Sequence, residues 1–462
     1  MYDGSSTAHL VEALRTALNR YSVGEKLPSS RALVRQYEVS PVTVARAIAA
    51  LVAEGLVTSR PGAGVFKANR AERGVPGDVS WQEVALSADA GARGVDAAGV
   101  LATLTAPPAE VVDLNGGYLH TSLQPERALA AALARAGRRP GAWSRPPVEG
   151  LPELRSWFAR DIGGSLDGGD VLVTAGGQTA LTTALRALAV PGAPVLVESP
   201  TYPGLLAVAR AAGLRPVPVP VDADGVRTDL LADAFAATRA RLFVCQPLFQ
   251  NPTGTVLAPV RRAEVVRIAH TAGAFVVEDD FARRLVHADA PPLPPPLAAD
   301  DPDGVVVHVR SLTKVTSPSL RIGALTARGP ALERLRATQI VDSFFVPRPL
   351  QETALELVGS PAWARHLRTL AVALRDRRTA LLGALADLRP QWTPYGGYHL
   401  WLRLPDGTDE QAVVAAALRE GVAVTPGGSY FTAEAPGPYL RLSYVSTAHP
   451  EDGGHRLRRA LR

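Results

Sequence analysis

Residues 305–326 read VVVHVRSLTKVTSPSLRIGALT. Two apolar runs, 305–309 and 322–326, flank a polar loop, the pattern of buried strands that end at the mouth of a sheet. In that loop Ser311-Leu312-Thr313-Lys314 stands seven residues before Arg321. A lysine placed beyond the end of a strand can enter a ligand site, while a serine and an arginine hold a phosphate. Lysines usually end as solvated surface groups. The chain is poor in lysine, and this flanking sequence favours an amine committed to chemistry.

Working outward, further apolar runs occupy 171–174, 195–198, 242–246 and 275–278, separated by helical stretches at 179–188 and 259–271. Alternating helices and continuous apolar strands predict an α/β domain with a mostly parallel sheet covered on both faces, and ligands beyond the carboxyl ends of its strands. From about 349 to 462 a smaller α/β subdomain with long helices is expected, against a large subdomain of about 145–345. The proline-rich tract 291–296 is read as a surface loop.

Four turns after these strands carry chemistry. Thr174-Ala175-Gly176-Gly177-Gln178-Thr179 joins a strand to a helix, so its glycines let the backbone approach an anion and the helix's free amides favour phosphate. Alone, such a turn is more often structural. Glu278-Asp279-Asp280 ends a strand and offers a carboxylate. Asp279 is the preferred candidate, and Asp280 is equally well a helix cap or a solvated loop group. Asn251-Pro252-Thr253-Gly254 offers an amide donor or simply a proline turn. Glu198-Ser199-Pro200-Thr201-Tyr202 supplies an aromatic ring suited to stacking. Pyridoxal chemistry needs an amine, an anion opposite the pyridine nitrogen, and donors for the phosphate and the ring oxygen. Each is present here.

Residues 1–67 form a separate unit, with 68–108 as a Gly-, Ala-, Asp- and Pro-rich linker and 109–462 as the second domain. Leu27-Pro28-Ser29-Ser30-Arg31 introduces a helix through Tyr37, capped by Ser29 or Ser30, and Ser40-Pro41 opens another through Glu54. On that second helix Val44, Ile48 and Leu51 are expected inward, with Thr43, Arg46 and Ala50 facing away as on a groove-inserting helix. Residues 55–66 alternate around a Gly-rich tip and read as a two-stranded wing whose Arg60 meets phosphate. Arg31, Thr43, Arg46 and Arg60 are the candidate DNA contacts. Any one of these arginines alone is as well read as part of a solvated basic face, whereas the ordered set is far more specific.

At 462 residues the chain is long enough for two or three cores. A net charge of +5 and a pI near 9.5 permit a nucleic-acid partner without identifying one. A single cysteine, Cys245, excludes an intramolecular disulfide framework. With no leader-like opening and no membrane-length apolar run, a cytoplasmic protein is expected, with no membrane partner and no metal.

The segment LPSSRALVRQYEVSPVTVARAIAALVAEGLVTSRPGAGVF resembles the winged helix of the GntR superfamily, with Pro41 where arginine is common. From about Asp113 onward the motifs resemble the fold-type I aminotransferases. The combination resembles the MocR/GabR regulators over nearly the whole chain. The resemblance implies pyridoxal 5'-phosphate as cofactor, Lys314 as its internal aldimine, Asp279 on the ring nitrogen, Asn251 near the ring oxygen and Tyr202 stacking. It places Gly176, Gly177, Gln178, Ser311 and Arg321 around the phosphate. Arg441, in Leu440-Arg441-Leu442-Ser443, matches the arginine that binds a substrate or effector carboxylate, a role its planar fork suits; a surface salt bridge is its other reading.

Phe281 stands two residues after Asp279, where the family usually carries a tyrosine, and cannot donate a hydrogen bond. That loss should raise the aldimine's proton affinity and blunt transamination more than binding. The expected function is a transcriptional regulator that binds a double-stranded DNA operator. It senses pyridoxal phosphate, or an amino compound through external aldimine formation. The alternatives are a working aminotransferase with an accessory winged helix, or a DNA adaptor with an empty scaffold. A homodimer is implied, with Trp143 near the place where a neighbouring subunit completes the pocket.

Overall fold

A computed structural model describes residues 4–60, 62–68, 78–87, 96–386 and 388–462. Contacts divide the chain into two compact units, 1–94 and 95–462. The expected linker contains two helices, Ser80–Ser87 in the first unit and Ala98–Leu104 in the second. Its other residues 69–77 and 88–95, and the wing residue Pro61, lie outside the described residues.

In the first unit the helices Gly4–Ala17, Ser30–Tyr37 and Pro41–Ala53 precede a hairpin of Val57–Arg60 and Gly64–Lys67. Leu10, Leu14 and Leu18 recur at helical spacing and pack on Leu33, Val44, Ile48, Leu51 and Val57. Ser29 caps the second helix, accepting from the Ala32 amide at 3.3 Å, and Ser40 caps the third, accepting from Thr43 at 3.1 Å. Pro41 occupies the first turn, where its missing N–H is no loss.

The second unit is built on an eight-stranded sheet. Its spatial order is Val171–Thr174, Gly323–Thr326, Val306–Ser311, Phe275–Asp280, Leu242–Cys245, Pro194–Ser199, Arg215–Asp222 and Gly225–Val226. The strands from Val306–Ser311 across to Arg215–Asp222 are parallel, and Gly323–Thr326 runs antiparallel to both its neighbours. Arg215–Asp222 has no counterpart among the runs read from sequence, because proline at every second position argues against a strand. The structure reconciles them. The Arg215 amide donates to Ala193, toward the neighbouring strand, whereas the Pro220 carbonyl accepts from Arg227 on the other side. Pro216, Pro218 and Pro220 therefore turn the same edge outward, where no ladder donor is needed.

The helices Gly177–Leu188 and Pro259–Thr271 bury Ala180, Leu181, Ala184 and Leu185, and Val265, Ile268 and Ala269, against the sheet. The last part carries helices Arg348–Val358 and Pro361–Leu385 and a three-stranded sheet of His399–Arg403, Tyr439–Ser443 and Thr425–Pro426. Val112–Asp113 pairs in parallel with Val422–Ala423. That pairing carries residues 115–118 from the start of this unit back toward the sheet's carboxyl ends.

Candidate functional site

Beyond those carboxyl ends a cleft of about 530 Å³ is lined by residues of three kinds: Lys314, Asp279 and Asn251; Tyr202, Phe281 and Tyr398; Gly177, Gln178, Ser311 and Arg321. Tyr118, Leu181, Gln246 and Thr313 complete it. Segments distant in sequence thus meet as the alternation of strand and helix requires.

Strand geometry sorts the acidic triplet. Side chains alternate across the sheet, so Asp279 faces the cleft while Glu278 and Asp280 face the opposite side. Asp279 accepts from Gln246 Nε2 at 2.7 Å, and burial raises its pKa to about 7. Gln246 is a hub. Its Oε1 accepts the Asn251 amide at 3.0 Å and its own amide donates to Glu198 Oε2 at 3.0 Å. Glu198 is also buried and raised to about 7. Lys314 Nζ donates to the Gly117 carbonyl at 2.8 Å and lies 3.9 Å from the centroid of the Tyr118 ring. Burial, with Arg441 and Arg321 nearby, lowers its pKa to about 7, so a large share of the amine is unprotonated and nucleophilic at neutral pH.

The expected anion cradle assembles at the N-terminus of Gly177–Leu188. Gly176 has φ +87°, and a Cβ there would lie 2.9 Å from Arg321 Nη2. Gly177 comes so near Ser311 that a Cβ would stand 3.6 Å from the serine's own. Arg321 is anchored to the Ala175 carbonyl at 2.8 Å. Helix amides, a hydroxyl and a guanidinium therefore converge where glycine keeps the backbone accessible. Tyr202 Oη donates to Gln178 Oε1 at 3.3 Å, which holds its ring over the cleft. Asn251 Oδ1 is buried without a hydrogen-bond partner.

Lysine, buried carboxylate and anion cradle fit pyridoxal 5'-phosphate: Lys314 would bond it, Asp279 would pair with its ring nitrogen, and Gly176, Gly177, Gln178, Ser311 and Arg321 would hold its phosphate. The cofactor supplies an electron sink. The chain supplies orientation, the amine and the fixed charges around it.

Arg441 is fully enclosed rather than at the surface. It donates to the Asn115 and Gly116 carbonyls at 2.7 and 3.1 Å and to Tyr430 Oη at 2.9 Å, and its Nε has no partner. It stands behind Gly116–Gly117 rather than among the residues of the cleft wall.

Three expectations are corrected. Asp280 is neither a cap nor a solvated loop group: it is completely buried, 3.2 Å from Arg310 Nη2 and 2.6 Å from Arg283 Nε. Glu278, Asp280 and His308 place one ligand atom each within 4.8 Å of one another. Glu278, however, already accepts the Leu297 and Ala298 amides and His308 Nδ1, and Arg283 and Arg310 supply the positive charge, so the group is a packed ion network. Thr43, expected outward, is 3% exposed, and its hydroxyl meets Ser40 Oγ at 2.8 Å. At the third position of its helix it is committed to the cap, and the buried arc widens to include it. Ala50 is likewise half-buried. The face left open carries Val42, Ala45, Arg46 and Ala49. Arg31 and Arg60 are exposed, with the Arg60 guanidinium 4.8 Å from the centroid of the Phe66 ring.

Sequence reasoning overlooked Gln246, Tyr118, Thr313 and Tyr398. A polar residue closing the apolar strand 242–245 was a signal for Gln246. Tyr118 and Tyr398 belong to no local motif and reach the site only through the tertiary fold.

A winged helix and a mixed, mostly parallel sheet with a lysine cleft define a DNA-binding head joined to an aminotransferase-like domain. Residues 109–458 match the aminotransferase class I and II family, and residues 7–66 match the bacterial regulatory proteins of the gntR family. The chain belongs to the aminotransferase class I and II family and carries a gntR-type DNA-binding domain ahead of it.

It is 32% identical over 394 residues to a 2-aminoadipate transaminase of Thermus thermophilus, covering 83% of this chain and 98% of that one. It is 28% identical over 468 residues, 96% of this chain and 93% of the other, to the HTH-type transcriptional regulator TauR of Rhodobacter capsulatus. The structure of LysN, an alpha-aminoadipate aminotransferase from Thermus thermophilus complexed with N-(5'-phosphopyridoxyl)-L-leucine, superposes with a TM-score of 0.74. That likeness has 30% identity and covers 83% of this chain and 98% of LysN. Among the described residues, no helix is long and apolar enough to cross a membrane.

Proposed function

We propose that the protein is a cytoplasmic transcriptional regulator whose aminotransferase-like domain holds pyridoxal 5'-phosphate on Lys314 and reports an amino compound, or the cofactor itself, to its DNA-binding head. The observation that carries this reading is the presence in one chain of a capped helix with an open Arg46 face and a complete cofactor cradle. A regulator similar over nearly the full length of both chains supports it.

Arg31, Arg46 and Arg60 are the DNA contacts, and Thr43 acts only through the cap. Arg441 is assigned to an effector carboxylate, for which its unpartnered Nε and the adjacent Tyr430 hydroxyl are suited. A homodimer is supported by Trp143, 83% exposed, and Phe344, 69% exposed, on segments joined by the Arg348–Ser144 hydrogen bond. A second reading, a working aminotransferase, is favoured by Asn251 and Arg441 and by the similarity to a transaminase. Phe281 weighs against it.

The test is selection of double-stranded DNA from a random pool, followed by titration at fixed salt. Wild type is expected to recover one operator, and Arg46→Ala to bind it about 10- to 100-fold more weakly, as the loss of one base contact costs. Binding without sequence preference by wild type overturns the regulator reading. Steady conversion of an amino donor and a 2-oxo acid, with no operator recovered, establishes the enzyme instead.

A further inference from the structure

Phe281 leaves a vacancy of chemistry rather than of space. It lines the cleft beside Asn251 and Lys314 with a ring that has no donor. Tyr398 stands edge-on to it, ring centroids 6.3 Å apart at 77°. It follows Gly396 and Gly397 and precedes the strand His399–Arg403, so it reaches the cleft from a segment far from Phe281 in sequence.

Its hydroxyl is close to the reactive amine. A single carbon added at Gly117 would lie 3.5 Å from Lys314 Nζ and 3.7 Å from Tyr398 Oη. The two are therefore no more than about 7 Å apart. Lys314 Nζ is itself 5.9 Å from the centroid of the Tyr398 ring. Tyr398 is 3% exposed, and burial raises its pKa, so the phenol keeps its proton throughout the neutral range.

Pyridoxal carries its ring oxygen on the carbon adjacent to the one bearing the aldehyde. A cofactor bonded to Lys314 must therefore present that oxygen beside Nζ. Asn251 is one candidate donor to it, and Tyr398 brings a phenol into the same cleft.

Resting on the cofactor reading above, we propose that the Tyr398 hydroxyl donates a hydrogen bond to the ring oxygen of the bound cofactor, replacing the donor that Phe281 lacks. Tyr398 is thus a cofactor-binding residue that tunes the proton affinity of the lysine-bound cofactor. A donor to the oxygen favours its deprotonated form, and removal of that donor raises the pH at which the proton leaves.

The experiment is a pH titration of the visible spectrum of the protein loaded with pyridoxal phosphate, which reads protonation without turnover. Tyr398→Phe, which keeps the ring, is expected to shift the spectral midpoint upward by about one pH unit, a tenfold change in proton affinity. Adding Phe281→Tyr to that variant is expected to bring the midpoint back. A normal Lys314-dependent band whose midpoint is unchanged in Tyr398→Phe overturns the proposal and leaves the cofactor reading intact. Absence of any such band in wild type overturns the cofactor reading itself.

Discussion

Replacing Lys314 with alanine is expected to abolish the visible band that pyridoxal phosphate gives with the wild-type protein and to weaken its retention by more than about tenfold. The cradle of Gly176, Gly177, Ser311 and Arg321 remains, so residual binding through the phosphate persists. The amine is what makes the site specific for an aldehyde.

The same substitution has an opposite effect on the protein without cofactor. The folded amine titrates near 7, whereas an exposed lysine titrates at 10.5. Between these values the unfolded chain carries the extra proton, so the stability contributed by this group rises with pH. Below pH 7 the burial penalty on the charged amine is present in full. Cofactor-free Lys314→Ala should therefore melt at a higher temperature than cofactor-free wild type at pH 7, and the gain should shrink as pH climbs toward 10. A variant that keeps the band, or melts lower at pH 7, contradicts the assignment.

The second large effect is expected one residue from the site. Asp280→Asn removes the carboxylate that faces the fully buried Arg310 and the Arg283 guanidinium. Stripping one partner from a buried charge pair typically costs about 3–5 kcal/mol. A denaturant titration should show a loss of that order, with the cofactor spectrum of the surviving folded protein unchanged. Asp279→Asn should do the reverse, altering the spectrum with little loss of stability, since its own burial raises its pKa to about 7 without an ion pair. A loss below about 1 kcal/mol for Asp280→Asn would show that the arginines are hydrated rather than paired.

These neighbours illustrate what the sequence could and could not convey. The run 275–278 was legible as a strand because Phe275, Val276 and Val277 are continuous apolar residues. The strand continues through Asp280, and its period of two sends alternate carboxylates to opposite faces. Asp279 was legible from its place in a pattern. The fate of Asp280 depended on Arg283, three residues on, and on Arg310 of the neighbouring strand, which no local reading pairs with it. Thr43 was misread for a related reason: helical spacing located Val44, Ile48 and Leu51, but the width of the buried arc is set by the packing of the neighbouring helices and by the Ser40 cap. The strand Arg215–Asp222 escaped because its prolines argue against a ladder that it makes on only one edge. Lys314, Arg321, Asn251 and Tyr202 were legible because each follows an apolar strand or lies in a turn of unusual composition. Tyr118 and Tyr398 enter the cleft from distant segments and have no such marker.

The proposed function requires that the cofactor cleft and the DNA-binding head of this chain be energetically coupled. Measure operator affinity with and without pyridoxal phosphate, then across a panel of amino compounds, for wild type and for Lys314→Ala. At least one ligand is expected to change wild-type affinity by about tenfold, within the usual range of coupling between sites, and Lys314→Ala is expected to abolish the response while binding DNA normally in the absence of ligand. Identical operator affinity under every condition, in a wild-type protein whose visible spectrum reports bound cofactor, would contradict it.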